Sequence, residues 1–314
     1  MLKMSMFPLL TPPIIWAFIG ILSLLLAFQV FVWVRGKTER FKDLQPRLTA
    51  WWYILGIFLI AFLTRQWCFI LLWMGVSFLA LREFFNAIPT DEEHKQVRLW
   101  LYLSIPVQYA FILIDYYSLF LIFIPVYVYL LFPVRMIIVG KTEHFLQSMG
   151  SYFWGIMMAG YSLSYVAYLA PFSSRMGFKA GPLGLMIFLL VLTELNDAAQ
   201  YMWGKLFGKH KVVPKISPKK SVEGLVGGII TTSLLAMVFA PFLTPLTLPW
   251  AALVGFLIGI GGFFGDVTMS ALKRDMHVKD FGTLLPGHGG LLDRVDSLVF
   301  TAPLFFHLLY WKLG

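Results

Sequence analysis

The chain has 314 residues, 59% of them hydrophobic and only 13% charged, with a mean hydropathy of +0.78 and a formal charge of +9. That is far more apolar surface than one soluble core buries, so the chain belongs in a bilayer. A lone cysteine, Cys68, reads as a small buried hydrophobe and excludes an internal disulfide framework.

A spanning helix needs about 20 largely apolar residues. Such runs recur at 13–34, 51–64, 67–85, 99–114, 117–133, 151–169, 182–203, 224–244, 248–272 and 292–311. The runs are continuous, not alternating, which excludes a barrel and predicts an all-α polytopic integral membrane protein of about nine or ten transmembrane helices. The runs at 51–64 and 99–114 are short; without both, eight spans remain. Pro13 to Val34 is too long for a signal-peptide core and no small-residue cleavage site follows it, so it reads as a retained anchor. One integral domain is expected over 1–314. Residues 1–149 are almost plain membrane helix, and 150–314 carry the polar residues in or beside spans. His94, His144 and His307 show no zinc spacing and read as loop or interface residues.

With ten spans, alternate connections collect most of the 25 Lys and Arg. They include Arg35, Lys37, Arg40, Lys42 and Arg47; then Arg82, Lys95 and Arg98; Arg135 and Lys141; the lysines from Lys205 to Lys220; and Lys273, Arg274, Lys279 and Arg294. The positive-inside rule makes that side cytoplasmic.

Four polar clusters stand out in chain order. In T-E-L-N-D-A-A-Q-Y, Glu194, Asp197 and Tyr201 share one helix face. Carboxylates at membrane depth are costly unless paired, hydrated or metal-bound, so they read either as functional groups or as helix-locking ion pairs. From Gly204 to Gly224 a loop with Lys215, Ser217, Lys219 and Lys220 in an S-P-K-K-S turn suits phosphates, with a plain positive-inside loop as the alternative. Asp266, Ser270, Lys273 and Arg274 lie within about one quadrant of the ninth span, a stripe that should line a cavity. Last comes K-D-F-G-T-L-L-P-G-H-G-G-L-L-D-R-V-D, where Pro286, Gly287, Gly289 and Gly290 permit a tight backbone. Asp293 and Asp296 at i and i+3 then open the final helix. Magnesium takes oxygen ligands, commonly one or two carboxylates plus substrate phosphates. A structural pair of Asp293 with Arg294 or Lys273 is the other reading.

The pattern S-x-x-K-R, four residues, K-D, five residues, P-x-H-G-G-x-x-D-R-x-D, from Ser270 to Asp296, resembles the signature of phosphatidate cytidylyltransferases, or CDP-diacylglycerol synthases, at every fixed position. F-G-K-H-K-x-x-P-K-I-S-P-K-K-S-V-E-G-L-V-G-G is similar to the second hallmark of that family, so the resemblance covers the C-terminal half. It implies a multi-helix membrane enzyme, commonly a homodimer, that uses Mg²⁺, with a second cation as an option, to join CTP and phosphatidate into CDP-diacylglycerol and pyrophosphate. By resemblance Asp266, Asp293 and Asp296 fall on the metal-centre aspartates, and Ser270, Lys273, Arg274, Lys279, Asp280 and His288 on the polar shell. The expected catalytic set is Asp266, Lys273, Arg274, Asp293 and Asp296. Asp197, Lys215, Ser217, Lys219, Lys220 and Arg294 complete the expected substrate-binding set. Three departures bear on the acceptor and the rate. Ala198 stands where a hydroxyl usually follows the aspartate, Met269 replaces a glutamate, and the N-terminal half shows little beyond hydropathy and R-E-F-F at Arg82 to Phe85.

The chemistry follows from charge as well. The phosphate of phosphatidate, with a second pKa of about 6, is largely a dianion at neutral pH and needs no general base. Its obstacle is repulsion from the triphosphate, so catalysis should be positioning plus neutralisation. His288 either donates a hydrogen bond or orders the glycine turn. The expected partners are CTP, phosphatidate or a related lipid phosphate, and membrane lipids, with no nucleic acid; the expected site is the cytoplasmic face of a bacterial inner membrane. The rival readings are CTP-dependent transfer to another lipid acceptor, a catalytically weak lipid-binding relative, and an anion transporter. A transporter would more often show matching broken helices in two halves, which the sequence lacks.

Overall fold

The computed structural model describes residues 11–35, 44–63, 66–88, 94–140, 144–284 and 289–313. Among the described residues the apolar runs are almost wholly helical and there is no strand, although Lys211 and Ser221 form an isolated bridge. The N-terminal half holds α1 (Pro12–Arg35), α2 (Leu44–Leu63), α3 (Gln66–Ala87) and α4 (His94–Leu113). The next segment is α5 (Tyr117–Ile122), a π-helical turn at Phe123–Val128, and α6 (Tyr129–Ile138). Another follows as α7 (Phe145–Gly155), a second π-helical turn at Ile156–Ser162, and α8 (Ser164–Met176). The C-terminal half holds α9 (Gly184–Phe207), α10 (Val222–Leu243), α11 (Leu248–Asp275), the single turn α12 (Leu292–Val295) and α13 (Leu298–Leu313).

Six of these segments are long and apolar enough to cross a membrane: Pro12–Val34, Gln66–Ala87, Tyr117–Ile138, Gly181–Phe207, Val222–Leu243 and Leu248–Asp275. Their outward faces carry large apolar side chains such as Trp33, Val226, Ile230, Leu234 and Val238, all exposed, as lipid-facing helices require. The protein is an all-α polytopic membrane protein. The short runs grow because a helix keeps its backbone bonds beyond the apolar stretch: that at 51–64 extends back to Leu44 and that at 99–114 to His94.

Between apolar helices in lipid there is little hydrophobic drive, so close approach of backbones does the packing. Gly224, Gly228, Thr232, Ala236 and Ala240 recur every fourth residue on the buried face of α10. A Cβ at Gly255 would lie 2.6 Å from the Ser233 Cα, and one at Gly259 would lie 3.0 Å from the Ile229 Cα, so α11 sits flush on α10. On the other side Gly228 accepts the Gln200 side chain of α9 at contact distance. Gln200 Nε2 donates to Asn196 Oδ1 at 3.1 Å and to the Gly259 carbonyl at 3.2 Å, and Thr232 Oγ1 donates to Asn196 Oδ1 at 3.1 Å. This buried amide network fixes the register of the three helices that carry the site.

Candidate active site

Three carboxylates from three elements meet at one end of this bundle. Asp197 of α9 accepts from the Ser297 hydroxyl at 2.8 Å through Oδ2, while its Oδ1 is buried without a hydrogen-bond partner. Asp266 of α11 is ion-paired with Lys220 through Oδ2, and Ser270 Oγ lies 3.4 Å from its Oδ1. Asp296, in the turn between α12 and α13, accepts the Ser297 amide at 2.8 Å and lies within electrostatic reach of Asp266, Asp197 and Lys273. Gly265 permits this meeting, because a Cβ there would lie 2.9 Å from the Asp296 carbonyl and from the Ser297 Cα. Like charges gathered in a low-dielectric site repel strongly, so the arrangement asks for cationic partners.

Two lysines answer. Lys220 arrives from the hairpin-like loop between α9 and α10, where Val212 N donates to the Lys220 carbonyl at 3.2 Å and Val222 N to the His210 carbonyl at 2.8 Å. Ser221 caps α10 by accepting from Gly224 N at 3.2 Å, and Glu223 holds the loop base through His210 Nδ1 at 2.6 Å. Lys220 Nζ also lies 5.6 Å from the Phe263 ring centroid. Arg274 ties the loop tip down from α11, its Nε donating to the Ile216 carbonyl at 3.4 Å. The other lysine, Lys273, donates to Asp293 Oδ1 at 2.9 Å and stacks over Phe281.

Asp293 is spent differently from the other three carboxylates. Its Oδ2 accepts from Phe281 N at 2.9 Å and from Gly290 N at 3.0 Å, so both oxygens are engaged in folding the loop that follows α11. The pairing with Lys273, one of the two readings of the sequence, is therefore present. Gly289 adopts φ +83°, and a Cβ there would lie 3.2 Å from both Asp280 and Asp293, a position only glycine fills without strain.

The remaining expected residues divide by position. Lys215, Lys219, Lys279, Asp280 and Arg294 are exposed around the mouth, and Ser217 is half-buried, its amide donating to the Val213 carbonyl at 2.9 Å. Arg294 lies within electrostatic reach of Glu194, which is exposed at membrane depth and so needs water or a polar ligand beside it. Tyr201, expected on the face of Glu194 and Asp197, is 64% exposed, with Lys205 5.9 Å from its ring centroid. His288, Pro286 and Gly287 lie outside the described residues.

One participant escaped sequence reasoning. Glu83, near the C-terminal end of α3, is buried and accepts from Leu291 N at 3.0 Å and Leu292 N at 2.8 Å. It caps α12, and it also packs against Gly282 and Gly290, where any Cβ would collide with it. The signal was a carboxylate in the R-E-F-F stretch at the end of an apolar run, without a partner in its own segment.

Oxygen donors of this kind suit a hard divalent cation. Among the described residues no three His, Cys, Asp or Glu side chains converge tightly enough to hold an ion alone. Magnesium commonly takes one or two carboxylates and completes its shell with water and substrate phosphates, and the unpaired Oδ1 of Asp197 is such a donor. The donor set therefore fits.

A polytopic helical protein with carboxylates and lysines gathered at one end of its spans has the site of a membrane enzyme that handles phosphates. The chain belongs to the cytidylyltransferase family, whose model matches residues 45–311. It is thus a CTP-dependent nucleotidyltransferase by class. It is 45% identical over 263 residues to the uncharacterized protein YnbB of Escherichia coli strain K12, covering 84% of this chain and 86% of that one. It is 39% identical over 134 residues to the phosphatidate cytidylyltransferase of Haemophilus influenzae (41% of this chain, 46% of that one). With the phosphatidate cytidylyltransferase of Staphylococcus epidermidis RP62A it shares 35% over 158 residues, or 50% and 61% of the two chains. The chain thus spans about half the length of these phosphatidate cytidylyltransferases, and most of YnbB.

Proposed function

We propose that the protein transfers the cytidylyl group of CTP to phosphatidate, giving CDP-diacylglycerol and pyrophosphate, from the cytoplasmic face of a bacterial inner membrane. The observation that carries this reading is the meeting of Asp197, Asp266 and Asp296 beside Lys220 and Lys273, one loop away from the exposed lysines. A phosphate dianion of the lipid attacks the α-phosphorus of CTP; a P–O bond forms there while the bond to the pyrophosphate oxygen breaks, and no proton need be removed first. Lys220, Lys273, Lys279 and Arg274 hold phosphate oxygens, Arg274 through its planar fork and the lysines as point charges. Lys215, Lys219 and Arg294 draw the polyanion to the mouth.

Asp266 and Asp296, with Asp197 beside them, are the residues that would hold Mg²⁺. Asp293 would join them through lone pairs left over from its bonds to Lys273 and the two amides. When bound, the ion neutralises charge on the α-phosphate and the leaving pyrophosphate. A second cation, where one binds, would draw on the same carboxylates and on substrate phosphates. The family resemblance supports a homodimer.

The test is incubation of purified protein in lipid with CTP labelled in the base, Mg²⁺ and phosphatidate. A lipid-soluble cytidine product is expected, and its absence with phosphatidate but appearance with another lipid phosphate would transfer the reading to that acceptor.

A further inference from the structure

Below the carboxylates an open groove of about 410 Å³ runs between the π-helical turn Ile156–Ser162 and α13, within the size range of small-molecule clefts. Trp154, Met157 and Met158 form one wall, and Val299, Pro303 and His307 lie along the other. Apart from His307 and Ser162 the lining is apolar, and the two methionines are flexible enough to follow a chain of variable shape. A π-helical turn widens a helix locally and is common at functional sites. Here it supplies Met157, Met158 and Ser162 to the lining.

The groove is aligned with the reaction centre. On a helix, Asp296, Pro303 and His307 fall within about 40° of one another, so the groove descends from the carboxylate along one face. Asp296 has helical dihedrals, φ −57° and ψ −44°, and the Thr301 amide donates to the Ser297 carbonyl at 3.1 Å, so the helical bonding of α13 reaches back to the residue beside Asp296. His307 lies eleven residues on, roughly 16 Å deeper. It is fixed there by a chain of hydrogen bonds. Tyr161 OH donates to the Leu121 carbonyl at 3.1 Å and Tyr165 OH donates to Tyr161 OH at 2.6 Å. The Tyr165 proton is then committed, so His307 Nε2, 3.0 Å away, is the donor to Tyr165.

We infer that this groove seats one acyl chain of the lipid substrate, with its phosphate at Asp296 and its tail toward His307. The inference rests on the proposed lipid-phosphate acceptor and adds where the tail lies. In a bilayer the tail leaves one apolar environment for another, so the groove contributes shape selection, not a driving force. Its effect belongs in chain-length preference.

Two measurements test it. Leu304, which lines the groove and is half-exposed, is replaced in Leu304→Trp, and the facing wall in Met157→Trp. The KM for long-chain phosphatidate should rise roughly three-fold or more in both variants, while the KM for CTP and turnover of a short-chain phosphatidate stay unchanged. Equal effects on both lipids, or none, would overturn the groove. The second readout needs no turnover: a phosphatidate with a diazirine near its tail end is photolysed with the protein and the adducts are mapped. Labelling concentrated on Met157, Met158 and Leu304, and reduced in Met157→Trp, is expected. Labels scattered over the outer helices, or equal labelling by a zwitterionic lipid with the same tail, would overturn it. Groove labelling without any lipid-linked cytidine would sink the transfer reaction and leave the groove standing.

Discussion

Glu83 and Leu292 are 209 positions apart in sequence and 2.8 Å apart in space, carboxylate oxygen to amide nitrogen. Through this contact and its neighbour at Leu291, the third helix caps the turn that presents Asp293 and Asp296. The N-terminal half is thus part of the reaction centre's frame.

Glu83→Gln replaces one of two accepting oxygens with a donor that faces a backbone N–H. A hydrogen bond to a charged group is worth about 1.5–3 kcal/mol, so the variant should lose that order of stability and turn over poorly. Thermal unfolding in detergent together with CTP turnover checks this. Glu83→Gln with unchanged activity and melting temperature would remove Glu83 from the frame.

Asp197→Asn and Asp293→Asn should behave in opposite ways. Neutralising Asp197 relieves repulsion with Asp266 and Asp296, so melting temperature should hold or rise while turnover is lost. Asp293→Asn sets an amide NH₂ against two backbone donors or against Lys273, so it should lose stability of about 1–3 kcal/mol as well as activity. Equal effects of the two substitutions on stability would contradict this division.

The loop lysines divide similarly. Lys220→Met should lower kcat by on the order of 10²-fold or more, the scale for losing one positioned donor in a site. Lys215→Ala with Lys219→Ala should instead raise the KM for CTP and flatten its dependence on ionic strength, because those side chains are exposed. Steady-state kinetics at two salt concentrations separates the outcomes.

What the sequence disclosed, and what it did not, follows from range. Asp266, Ser270, Lys273 and Arg274 lie on one helix, where spacing alone predicts a shared face, and Asp266, Ser270 and Lys273 do meet around the site. Asp197 and Asp296 also come to it, since polar residues in apolar runs have few other places to go. Periodicity could not separate Lys220 from Lys219, because that choice depends on the loop's backbone bonds to His210 and Val212. Nor could it pair Asp293 with the Phe281 and Gly290 amides, or join Glu83 to a turn more than two hundred residues away. Those contacts are set by packing between segments, which hydropathy does not encode. Tyr201, seven residues and so only about 20° round the helix from Glu194, keeps the predicted face, and both side chains are exposed.

The most direct test of the central claim is the fate of the label in paired reactions with CTP labelled at the α- or the γ-phosphate, with phosphatidate and Mg²⁺. Cytidylyl transfer predicts that α-label enters the lipid phase in step with pyrophosphate release, γ-label stays in the aqueous pyrophosphate, and Asp266→Asn abolishes both. Entry of γ-label into the lipid would mean phosphoryl transfer and contradict the account.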